Sequence, residues 1–172
     1  MNSFQDFFQD AMKRSLPDLL DPPPGLAFDL GASGRFVMKG AVALGLPKWS
    51  FPRDAIPAKD DSVAMIHAYH FMEHLSGDDA IKFLREAERV LIEGGILNYC
   101  VPYHKTGLQA QDLTHKSVWN EDVFENLFNN THYDPAGDWL LKVHFQIIAG
   151  VVERNLALIG QLVRLPGRSS TG

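Results

Sequence analysis

Cysteine is almost missing from this chain of 172 residues: Cys100 is the only one. No intrachain disulfide can form, and no thiolate zinc site can be built from one chain. Cys100 lies in an apolar run and reads as a buried, inert thiol. Basic residues are in deficit too, 16 Lys and Arg against 21 Asp and Glu, for a net charge of −5. That balance argues against a protein that grips nucleic acid by bulk charge. Long apolar runs do not occur. The most apolar late stretch is broken by Glu153, Arg154 and Asn155, so no membrane span is expected. The first ten residues carry acids where a secretion signal carries bases, and a cytoplasmic location is the expectation. Also missing are a Gly-Lys-Ser/Thr phosphate loop, a serine nucleophile elbow and an aromatic RNA platform.

What is present suits one soluble domain. Hydrophobic residues make up 45% and charged residues 22%, enough apolar material for a single core. Phe4, Phe7, Phe8, Ala11 and Met12 recur at helical spacing. They predict an amphipathic helix within residues 1–20, packed on the domain or on a protein partner. The run "DPPPG" at 21–25 forms a stiff hinge. The domain proper is expected over 26–165, with a disordered tail at 166–172.

Within the domain, "LAFDLG" and "AVALGL" are short apolar runs of strand length. Only about ten residues separate them, whereas a parallel crossover normally needs a dozen or more. The first crossover helix is therefore shortened or absent. "VAMIHA" at 63–68 is a third strand, and "HFMEHL" a short helical turn. Residues 77–95 form the clearest helix, with acids at the start and Gly94-Gly95 as the stop. "ILNYCVPY" follows as a strand, completing a βαβ unit that is parallel and right-handed by preference. After a polar loop, "NEDVFENLF" is a helix with an Asn cap. "DWLLKVHFQIIAG" and "NLALIGQLVRL" suit a final antiparallel strand pair, the last segment having a helix as its alternative. The expected fold is α/β and Rossmann-like, a mostly parallel sheet with an antiparallel end.

Three blocks in this order, "FDLGASG", "IPAKDDSVAMIHAYHFMEHL" and "FLREAERVLIEGGILNYCVPY", resemble the class I S-adenosylmethionine-dependent methyltransferases. Ile56, Pro57, Asp61, Ser62, Val63, Glu73, His74, Arg89, Val90, Leu91, Gly94 and Gly95 fall on that pattern. The later "QDLTHKSVW" resembles the Asp-Pro-Thr-His segment of some members, with Leu113 in place of the proline. The short gap after the glycine loop and the ending "VERNLALIGQLV" look most like small bacteriophage-encoded members.

The resemblance implies S-adenosylmethionine as cofactor, and methyl transfer to a small molecule, a sugar or a protein. It places Asp29, Gly31, Ala32, Ser33 and Gly34 against the cofactor, whose methionine part needs thin backbone. Ser33 stands where a second glycine belongs. The acid that binds the ribose diol falls on Gly45, so no carboxylate is there. Asp54 either substitutes for it or caps a turn. His70 is a further cofactor contact. His115 is the expected base or acceptor contact, with Asp112 orienting it, and Tyr103 walls the acceptor side. Glu73 and His74 are read as structural in preference to catalytic, bonding across to neighbouring loops. His70 and His74 stand at i and i+4 as a metal pair would, but no third ligand is evident and no metal is expected. The rival reading is a catalytically inactive methyltransferase-like fold, serving as a binding or structural module, as in a phage assembly. A nucleotide-sugar binder is a weaker third, because Gly45 lacks the acid that such sites also use.

Overall fold

The computed structural model describes residues 23–32, 37–129, 145–153 and 157–165. The N-terminal aromatic segment, Ser33, Gly34 and the tail at 166–172 lie outside the described residues, as do Asp21 and Pro22 of the hinge. The elements are β1 (Leu26–Leu30), β2 (Val42–Leu44), β3 (Val63–Tyr69), a 3-10 turn (Met72–His74), α1 (Gly77–Val90), β4 (Leu91–Pro102), α2 (Gly107–Ala110), α3 (Glu121–Asn129), β5 (Phe145–Glu153) and β6 (Ala157–Arg164). They build one six-stranded sheet in the order β2-β1-β3-β4-β6-β5. β2, β1, β3 and β4 run parallel, and β6 joins β4 antiparallel and pairs with β5. The expected sheet and its antiparallel end are both present. The last segment is a strand, not a helix. Between β1 and β2, the described residues form no helix.

α1 begins where its sequence directs. The Ser76 hydroxyl accepts from the Asp79 N–H at 3.3 Å and donates to its carboxylate at 2.8 Å. Asp78 and Asp79 occupy the first turn, where acids complement the helix dipole. The helix ends at Val90, earlier than its apolar period predicts, and Leu91 is already extended. Gly94-Gly95 are thus not its stop. Leu91 pairs with Val63, and the next partners are Ile96 and Met65, so the chain bulges between them. Gly94 takes φ +74°, and a Cβ on Gly95 would come within 2.8 Å of the Ile92 carbonyl. The two glycines serve a bulged strand entry instead.

Alternate residues along each strand point to opposite faces. On one face Phe28, Leu30, Ile66, Leu97, Tyr99 and Leu162 join Phe83, Leu84 and Ala87 of α1 and Phe124 of α3 in the main core. Phe124 stacks on Tyr99 with ring centroids 4.6 Å apart. The Asn120 cap of α3 accepts from the Val123 N–H at 3.0 Å, as its sequence predicts. On the opposite face Asp29, His67, Asn98 and Gln161 are successive partners across four strands, and all are buried. A small cluster of Cys100, Ala157 and Ile159 lies beside that rung. Burial pushes the Cys100 thiol well above its ordinary range, in keeping with an inert role.

Candidate functional site

Parallel strands β1, β2, β3 and β4 deliver their carboxyl ends to one edge of the sheet, where open α/β sheets place ligands. Gly31 ends β1 in the left-handed region at φ +75° and donates its N–H to the Leu44 carbonyl at 2.8 Å. Only glycine holds that conformation without strain. Asp29 is buried one residue pair back, and its carboxylate accepts from the Met38 N–H at 2.7 Å. Burial pushes its pKa up, and the Met38 bond partly offsets the rise. Asp29 thereby closes the loop at both ends.

Beyond this loop lies a cleft of about 670 Å³ whose lining includes Ala32, Leu44, Gly45, Trp49, Asp54 and Pro57. A Cβ on Gly45 would stand 2.6 Å from the Ala32 carbonyl oxygen, so the end of β2 and the loop after β1 touch through backbone. A carboxylate cannot be restored at Gly45 without moving that loop. Asp54 does line the cleft. Its Oδ2 accepts from the Ser50 N–H at 2.9 Å and from Arg53 at 2.6 and 3.0 Å. The Arg53 bonds, then the Ser50 bond, hold its pKa low. Asp54 caps its turn with one oxygen while facing the cleft. The loop on the far wall is tied to α1 by Arg89, which reaches Asp60 at 2.6 Å and the Ala58 carbonyl at 3.1 Å.

The other half of the edge is built at the end of β3. His70 also takes a left-handed conformation, φ +49°, and donates its N–H to the Cys100 carbonyl at 2.8 Å. Its Nδ1 lies 3.0 Å from Glu73 Oε1, and it is not among the residues that line the cleft. The expected cofactor contact at His70 is therefore drawn toward Glu73. Glu73 has no exposed surface. Its backbone carbonyl accepts from Lys116 at 2.7 Å and Ser117 at 3.1 Å, which staples the 3-10 turn to the polar loop.

That staple brings His74 against His115, with ring centroids 4.9 Å apart. His115 Nδ1 meets the Gln109 carbonyl at 3.0 Å. Asp112 stands 3.9 Å from His115 Nε2, beyond hydrogen-bond reach, and gives its bonds to the Thr114 N–H and hydroxyl at 2.8 and 2.7 Å. Those bonds lower the Asp112 pKa. The two residues expected to work together are brought close, but Gln109, not Asp112, orients the imidazole. Sequence reading missed Thr114 and Gln109, which have no motif of their own.

A methyltransferase domain family matches residues 52–98. No curated protein matches the chain. Among solved structures, a chain from the complex between the Haloferax volcanii Trm112 methyltransferase activator and a methyltransferase aligns with TM-score 0.62 and 14% identity, over 95% of this chain and 94% of that one. The YcgJ protein of Bacillus subtilis aligns with TM-score 0.58 and 12% identity, over 92% and 100%. A SAM-dependent methyltransferase from Thermotoga maritima aligns with TM-score 0.56 and 13% identity, over 94% and 98%. The fold is that of the class I methyltransferases. Nothing in these comparisons supports the bacteriophage link. The family match runs from the loop after β2 into β4, so it carries Asp54, His70, Glu73 and His74. It does not reach Asp29, Gly31 or His115. Among the described residues no helix is long and apolar enough to cross a membrane.

Proposed function

We propose that the chain is an S-adenosylmethionine-dependent methyltransferase that takes the cofactor in the cleft at the ends of β1 and β2. The observation that carries this is a cleft of about 670 Å³ at the carboxyl ends of the parallel strands, with Ala32, Gly45 and Asp54 in its lining. That volume falls in the range of small-molecule sites, about 300–1,000 Å³. The methyltransferase domain match and the fold imply the same cofactor. When bound, S-adenosylmethionine supplies an electrophilic methyl carbon on a sulfonium. Ala32 lines the cleft, and Asp29, Gly31, Ser33 and Gly34 are proposed as further cofactor contacts on the resemblance alone. Asp54 offers the one carboxylate of the lining, in place of the diol acid missing at Gly45. The acceptor side is the edge at His74 and His115, where His115 contacts the acceptor and Asp112 positions the loop through Thr114. The acceptor class is a small molecule, a sugar or a protein.

The test is calorimetric titration of the full chain with S-adenosylhomocysteine, which cannot be consumed. Micromolar binding that weakens in Asp54→Asn is the expected result. No binding at millimolar ligand would overturn the reading and favour the inactive module, to which the Gly45–Ala32 contact already lends weight. The Haloferax neighbour comes from a complex with an activator protein. A protein partner docked through the aromatic segment at residues 1–20 is the parallel proposal here. Removing those residues should release the partner and leave the domain folded.

A further inference from the structure

We propose that Glu73, His74 and His115 form a binding site for a divalent transition metal, with zinc the best match. One potential ligand atom from each of the three lies within 4.8 Å of the other two. Two imidazoles and a carboxylate are a recurrent zinc set that keeps a coordination position open for water or substrate. Imidazole donors also disfavour magnesium and calcium, which prefer oxygen. Zinc ligands at about 2.0–2.1 Å stand about 3.3 Å apart in a tetrahedron, so small side-chain adjustments close the site.

Two independent features point to a cation. The first is Glu73, which has no exposed surface and whose Oε2 has no hydrogen-bond partner. An unpaired buried carboxylate oxygen is costly, and a metal ion would satisfy it. The second is the protonation pattern that the surrounding bonds dictate. Thr114 spends its hydroxyl proton on Asp112 Oδ1 at 2.7 Å, and a carboxylate can only accept. Thr114 Oγ1 must therefore accept from His74 Nδ1, 3.0 Å away. A backbone carbonyl likewise only accepts, so His115 Nδ1 carries the proton toward Gln109. On both rings Nε2 is left as the basic nitrogen. Histidines that bind metal are fixed in this manner, the remote N–H being held by a carbonyl or carboxylate-linked partner.

The cluster lies outside the cleft lining but on the edge proposed above for the acceptor, and zinc uptake is read without methyl transfer, so failure here and failure of that reading are distinguishable. Its test uses the full chain, dialysed against a chelator and titrated with zinc alone, then with cobalt as a spectroscopic probe. One equivalent per chain is expected, with visible cobalt bands of a nitrogen and oxygen ligand set. His115→Ala should weaken zinc affinity by at least about 100-fold. Thr114→Val, which removes the acceptor of the remote His74 nitrogen together with the hydroxyl bond to Asp112 and leaves all three ligands in place, should weaken it about tenfold. Glu73→Gln is the sharper variant but can fail to fold, so the two loop substitutions carry the decision, with circular dichroism as the control. Absence of zinc uptake by the unaltered chain would overturn the proposal. So would uptake that neither loop substitution changes, which would mean a surface site elsewhere.

Discussion

The two faces of this sheet are held in different ways. On the face covered by α1 and α3, the strands contribute large apolar side chains, and Phe83 sits edge-on to Phe71 and Phe51 at 5.1 and 5.8 Å. On the other face a polar rung crosses four strands. Gln161 Nε2 donates to Asn98 Oδ1 at 2.9 Å, and Asn98 Nδ2 lies 3.5 Å from His67 Nδ1. The first arrangement gains stability from area removed from water and tolerates no voids. The second gains little net energy from each bond but is costly to leave half made. Both are buried, so burial alone does not tell which one an insult will damage more.

The largest effect should come from the apolar face. Phe83→Ala removes a ring with no exposed surface from the centre of the α1 packing. A loss of about 3–5 kcal/mol is expected, read from urea unfolding. A loss under about 1 kcal/mol would mean that this face is not the mainstay of the fold.

Acid should come next, and it strikes the polar face. Burial lowers the His67 pKa to about 4, against 6.5 when exposed. The folded state therefore binds fewer protons than the unfolded chain between these values, and stability falls as pH drops through that window. The loss from pH 7 to pH 4 is about 3 kcal/mol from this residue. It should be absent in His67→Phe. A slope unchanged by that substitution would assign the acid sensitivity to another group.

The same contrast explains what could be seen in the sequence. Apolar runs announced the strands, and the period of Ala80, Phe83, Leu84 and Ala87 announced α1, because burial on one face leaves a regular trace. The stop at Gly94-Gly95 was misplaced because glycine serves a bulge as well as a helix end. Asp29 and Gly31 were legible as a loop entry. Glu73 and His115 were not legible as neighbours, since the bonds that join their segments, from Lys116 and Ser117 to the Glu73 carbonyl and between His74 and Thr114, link residues some 40 positions apart with no spacing to announce them. A contact made through backbone carries no side-chain signature. For the same reason the closeness of Gly45 to Ala32 could not be foreseen, and Gly45→Asp is expected to disrupt the loop rather than repair the cleft.

Two smaller changes would sharpen the comparison. Asn98→Ala takes away the Asn98 Oδ1 acceptor from the buried Gln161 amide and should cost about 1–3 kcal/mol, because a buried hydrogen bond is lost with one partner still in place. Replacing both, Asn98→Leu with Gln161→Leu, removes donor and acceptor together. That pair should cost less than the single change, within about 1 kcal/mol of the unaltered chain, if the rung acts by mutual satisfaction. A double mutant that loses as much as the sum of its parts would mean that the rung stabilises the sheet outright. The two faces would then differ in chemistry but not in energetic role. If instead the double mutant is neutral, the rung is retained for a reason other than stability. It spans β1, β3, β4 and β6 beneath the edge that bears the Asp54 cleft and the Glu73 cluster. Fixing the register of those strands fixes where Gly31 and His70 emerge, and loss of ligand binding in a stable double mutant would be the sign of it.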